Sequence, residues 1–148
     1  MSATTYSSAA YTPPSYNPIW KITHGEGVYC DIVDRGRCVT DGPGNYGNNE
    51  RCEVEALRPL LLTAEQYQIE NNYDYVTVAG EQYRYRDNGP KAKFMAPGEK
   101  WVWKSDNYIT RQGYKLCGHQ GTVLLVCVYV CSYVCVCVFK HIYICVST

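Results

Sequence analysis

Between Trp20 and Cys117 every strand-like run is stopped by a turn signal, and this punctuation restricts the fold more than any other feature. The runs are 28–33 (VYCDIV), 51–62 (RCEVEALRPLLL), 73–80 (YDYVTVAG), 81–86 (EQYRYR), 92–96 (AKFMA), 100–105 (KWVWKS) and 113–117 (GYKLC). Alternation of apolar and polar residues is clearest at Cys52, Val54 and Ala56, and at Trp101 and Trp103. The turn signals are AGEQ, DNGP, APGE and RQG. One short segment, TAEQY at 63–67, reads as a capped helical turn. The pattern predicts an all-β chain, an antiparallel β-sandwich. The 15 tyrosines against two phenylalanines suit sheets that are wet on one side.

The 148 residues suit one domain flanked by two unlike segments. Residues 1–19, beginning MSATTYSSAAYTPPSYNP, are small, polar and proline-containing, and are expected to be disordered. They lack the basic start and apolar run of a signal peptide, so an extracellular chain with this beginning reads as an incomplete product. Residues 20–118 form the globular domain. Residues 119–148 are a Cys/Val-rich tail in which 122–139 carries no charge over 18 residues, the length of a transmembrane helix. Its Cys-Val and Tyr-Val alternation is also what a TG-type repeat encodes (TGT GTG, TAT GTG). The tail is therefore read as translated non-coding sequence, with a transmembrane segment as the alternative and a membrane as partner only in that case. Fourteen basic and fourteen acidic residues cancel, and no basic stripe is present, which argues against nucleic acid as a partner.

The domain holds four cysteines, Cys30, Cys38, Cys52 and Cys117, separated by seven, thirteen and sixty-four residues. An even number in a small all-β domain predicts a disulfide framework and an oxidising compartment, and the spacing fits no common zinc pattern. Four cysteines allow three pairings, among which spacing alone does not choose. Catalytic signatures are missing: no G-x-S-x-G, H-E-x-x-H or Walker motif occurs, and HGEG at 24–27 reads as a turn. The stretch DGPGNYGNNERC (41–52) is built as neither helix nor strand. Its glycines and asparagines supply positive φ, and it reads as an ordered loop fastened at its end by Cys52.

Three motifs, in order, resemble those of CUB domains. The half-motif NYGNNERC (45–52) is similar to the CUB loop N-Y-P-x-x-Y-x-x-N-x-x-C. YQIENNYDYVTVAG (67–80) resembles F-x-L-E…Y-D-Y-V-x-V-x-G, and WKSDNYITRQGYKL (103–116) resembles F-x-S-D-x-S-x-x-x-x-G-F-x-L. The resemblance implies a CUB-like jelly-roll sandwich that serves as a non-catalytic, extracellular recognition module, secreted or on a cell surface. It implies one calcium ion on Glu70, Asp74 and Asp106, the acids of L-E, Y-D-Y and S-D; carboxylates and loop carbonyls are the oxygen donors that calcium takes. Tyr73, Asn107 and Tyr108 would then face the partner, a protein or a carbohydrate. The resemblance also implies a Cys30–Cys52 bridge, which leaves Cys38 to Cys117; the alternative is Cys38–Cys52 with Cys30–Cys117. The second disulfide that CUB domains place around the Tyr-Asp motif has no counterpart, because Glu70 and Asp74 are separated only by Asn71, Asn72 and Tyr73. Two further readings stay open: an accessory domain of a larger secreted enzyme such as a protease, and a metal-free, disulfide-stapled structural sandwich.

Overall fold

The computed structural model describes residues 17–120, which form ten strands: β1 (Trp20–His24), β2 (Asp31–Val33), β3 (Cys38–Thr40), β4 (Arg51–Ala56), β5 (Leu60–Gln68), β6 (Tyr75–Val78), β7 (Glu81–Tyr83), β8 (Lys93–Met95), β9 (Lys100–Lys104) and β10 (Gly113–His119). A single 3-10 turn, Tyr85–Asp87, follows β7. The strands make two five-stranded sheets in the orders β1-β4-β9-β6-β7 and β2-β3-β10-β5-β8. Every pairing between named strands is antiparallel. The fold is an all-β sandwich.

Period-two patterning decides which residues lie between the sheets. Along β4 the residues Cys52, Val54 and Ala56 are buried and alternate with half-buried Arg51, Glu53 and Glu55. Trp101 and Trp103 of β9 point the same way, and Val76 and Val78 of β6 flank them. The other sheet contributes Val39, Leu60, Leu62, Met95, Tyr114 and Leu116. Tyr114 sits between the two tryptophans, with ring centroids 5.7 Å from Trp101 and 5.1 Å from Trp103. Aromatic contacts of this geometry add to the burial of apolar area.

Several local expectations are corrected. Residues 63–67 are not a helical turn but the middle of β5, where Leu116, Cys117 and Lys115 of β10 pair with Ala64, Thr63 and Gln66. The ladder to β10 outweighs the helix preference of Ala-Glu-Gln, while β8 pairs only with Leu60, Leu61 and Leu62. The run 51–62 is two strands, because the chain turns at Leu57, Arg58 and Pro59 and passes from one sheet to the other. Residues 28–30 form a turn before β2, with the amides of Val28, Tyr29 and Cys30 donating to the carbonyl of Gly25. β1 and β3 lie outside the expected runs, although β1 alternates buried Trp20 and Ile22 with exposed Lys21 and Thr23. Ile19 is buried next to β1, and β10 ends at exposed His119, which pairs with Leu61. Gly118 lies against Trp20, where a Cβ would come within 2.7 Å of the ring.

Cys30 is bonded to Cys52 and Cys38 to Cys117. The first bridge joins the turn before β2 to β4 of the opposite sheet. The second links directly opposed residues of β3 and β10. Most of the disordered segment expected at 1–19, and the tail from 121 onward with its possible span at 122–139, lie outside the described residues. Among the described residues, no helix is long and apolar enough to cross a membrane.

Candidate functional site

Three loops meet at one end of the sandwich: 41–50 between β3 and β4, 69–74 between β5 and β6, and 105–112 between β9 and β10. The first is the Gly- and Asn-rich stretch. Gly42 and Gly44 adopt φ of 110° and 92°, and Asn49 takes 57°, so the residue types match the backbone that the loop needs. The loop is tied to its neighbour at 105–112 by the amide of Tyr46 donating to Arg111 O (3.0 Å), that of Asn49 to Asp106 O (2.6 Å) and that of Glu50 to Ser105 Oγ (2.9 Å). Glu50 accepts from the Gly47 amide (2.5 Å) and from Trp103 Nε1 (3.2 Å), which anchors the loop's end to the core.

At the junction of the three loops, carboxylate oxygens of Glu70, Asp74 and Asp106 lie within 4.8 Å of one another. Tyr46 is the hub beneath them. Its ring packs edge-on against Trp103 at 5.0 Å. Its hydroxyl donates to Asp74 Oδ2 and accepts the amide of Glu70 (2.8 Å). The other oxygen of Asp74 accepts the amide of Asp106 (2.8 Å), and Asp106 Oδ1 accepts the amide of Tyr108 (2.9 Å). Asp74 is fully buried and Glu70 nearly so, while Glu70 Oε2 has no hydrogen-bond partner.

Crowded, buried carboxylates resist ionisation. Burial pushes Glu70 above the usual carboxylate range, and the charges of Asp106 and Asp74 push it further, against Arg111 and the Ile109 backbone. Burial likewise raises Asp74, partly offset by its bonds from Tyr46 and from the Asp106 amide. Three carboxylates with one unsatisfied oxygen form a donor set suited to a hard divalent cation, which would relieve both the repulsion and the orphaned oxygen. A second grouping of metal-type residues, Cys38, Cys117 and Glu65, has no free thiolate because its cysteines are bonded to each other.

The three partner-facing candidates surround the acidic cluster. Tyr73 precedes Asp74 and is 63% exposed; Asn107 and Tyr108 follow Asp106, and Tyr108 is 78% exposed. The residues missed by sequence reasoning are Tyr46, Glu50 and Arg111. Tyr46 alone carried a signal, as the one aromatic residue inside a Gly/Asn loop. A shallow groove of about 560 Å³, lined in part by Ala79, Glu81, Tyr83, Lys93 and Phe94, lies at the other end of β6 and is crossed by the Lys93–Glu81 ion pair at 2.7 Å.

These features define a disulfide-bonded antiparallel sandwich with an acidic, loop-built end. Comparison of the chain with protein-family models, with curated proteins and with solved structures found no match.

Proposed function

We propose that this domain is a non-catalytic recognition module of CUB type whose loop end is ordered by one calcium ion on Glu70, Asp74 and Asp106, and which presents Tyr73, Asn107 and Tyr108 to an extracellular protein or carbohydrate. The convergence of the three carboxylates, with Glu70 Oε2 left unpartnered, carries this reading. The two disulfides support an oxidising, extracellular setting. Loop carbonyls and water complete the six to eight oxygens that calcium takes, and extracellular modules of this kind bind it with Kd on the order of 0.1–1 mM.

Thermal melting of wild type and Asp106→Ala, each in calcium and in chelator, tests the proposal. By mass action, calcium at about 10 mM raises the wild-type Tm by roughly 5–10 °C and leaves the variant unmoved. Superimposable wild-type curves with calcium and with chelator would falsify the site. A metal-free structural sandwich is the second reading, favoured by the fact that both oxygens of Asp74 already have partners. The same curves separate the two.

A further inference from the structure

We infer that Arg84 holds the loop between Glu70 and Asp74 in its cation-binding shape, and so sets the affinity of the centre without contacting the ion; the affinity part rests on the calcium reading above. Only Asn71, Asn72 and Tyr73 separate the two carboxylates, all three are exposed, and Asn72 sits in the left-handed region at φ 75°. Any movement of this short bridge changes the distance between Glu70 and Asp74. Neither disulfide has an end in it, since the bridges join Cys30 to Cys52 and Cys38 to Cys117.

What grips the bridge is a guanidinium that comes from beyond β7. Arg84 Nη1 donates to the carbonyl of Asn72, while Nη2 donates to Gln82 Oε1 at 3.3 Å. The guanidinium carbon stands over the ring of Tyr75, the residue after Asp74, 5.7 Å from its centroid. The arginine backbone is itself fixed, its amide donating to Asp87 Oδ2 (2.7 Å) and its carbonyl accepting the Asp87 amide (3.0 Å). One planar fork therefore binds the loop carbonyl, the central residue of β7 and an aromatic face together, a task for which a lysine is a poor substitute.

Position and charge make opposite predictions. A cation near an acidic centre weakens calcium binding, so an arginine acting through its charge would, when removed, tighten the site. An arginine acting through position would, when removed, weaken it. A hydrogen bond from a charged donor is worth on the order of tenfold in an equilibrium constant.

The test measures calcium affinity by calorimetry on the full chain as wild type, Arg84→Met and Arg84→Lys, with amide hydrogen exchange at Tyr73 and Asp74 in chelator as a calcium-independent readout. Arg84→Met keeps a stem against Tyr75 and removes the donors. It is expected to weaken calcium binding about tenfold and to speed exchange at both amides by a similar factor, with Arg84→Lys intermediate in both. The Tm in chelator should move by no more than a few degrees, as for a surface substitution. Wild-type binding with equal or tighter binding by Arg84→Met overturns the inference. If wild type binds no calcium, the calcium reading falls, and the exchange data alone decide the clamp: unchanged exchange at Tyr73 and Asp74 overturns it.

Discussion

A buried tyrosine hydroxyl usually finds hydrogen-bond partners, although that of Tyr114 has none. The Tyr46 hydroxyl finds them in Asp74 and the Glu70 amide, so its removal leaves two buried polar groups without a partner. Tyr46→Phe keeps the ring against Trp103 and is expected to cost about 1–3 kcal/mol, read as a lower guanidinium midpoint at unchanged slope. Asp41 makes a different prediction. Its carboxylate takes the Tyr114 amide at 2.9 Å and lies over Gly113, where a Cβ would come within 1.6 Å. Gly113 is therefore required twice, by that contact and by its φ of 80°. Burial, helped by the charge of Glu50, raises the Asp41 carboxyl to about 6 from its ordinary 3.8. The folded state thus holds this proton more tightly than the unfolded state. The resulting stabilisation is fully present below about pH 4 and is lost as pH rises through 6. Allowing for partial exposure, the difference is about 2 kcal/mol. Asp41→Asn should flatten the pH dependence of stability between 4 and 7, measured by urea titration at each pH; an unchanged slope would count against this account. The convergence of Glu70, Asp74 and Asp106 was legible because each sits in a short motif. Tyr46 was not, because its hydroxyl partners lie 24 and 28 residues away.

Among the elements, β4 and β9 were legible because both faces of a half-wet strand leave a period-two trace, seen at Cys52, Val54 and Ala56 and at Trp101 and Trp103. β5 was misread over 63–67 because its central residues, Thr63 to Gln66, are half-buried or exposed, so local helix preference was the only signal left. β3 spans three residues, too few to show any period. Its place is fixed by a covalent link, since Cys38 opposes Cys117 across the ladder. Residue separation makes the two bridges unequal. Cys38–Cys117 spans 79 residues and Cys30–Cys52 spans 22. In the chain-entropy model these contribute about 4 and about 3 kcal/mol respectively. The double variant Cys38→Ala/Cys117→Ala should therefore show a larger fall in denaturation midpoint than Cys30→Ala/Cys52→Ala. The reverse order would mean that the inter-sheet bridge restrains more than its own loop.

For the molecule as a whole, the strands of the described residues run from Trp20 to His119 in two sheets whose apolar faces pack on each other. The outermost strands are β1 and β7 in one sheet and β2 and β8 in the other. Three of these four span only three residues, a length that gives little purchase for edge-to-edge pairing. The cation-suited end touches one of these edges, where Arg84 beyond β7 bonds Asn72 and Gln82. It is formed by loops that are tied to the packed core through Tyr46 and Glu50 on Trp103. A fragment comprising residues 17–120 is accordingly expected to fold by itself, with both disulfides and one cooperative urea transition whose slope is about 1–3 kcal/mol per molar. Ending the chain at Gly118 instead should lower the midpoint, because His119 is the last residue that β10 pairs with β5, opposite Leu61. Circular dichroism and tryptophan fluorescence follow the sheets and the Trp101–Trp103 core separately, and their transitions should coincide. A fragment 17–120 that stays unfolded, or whose two signals separate, would show that apolar residues after position 120 complete the core, and the self-contained sandwich described here would then be wrong.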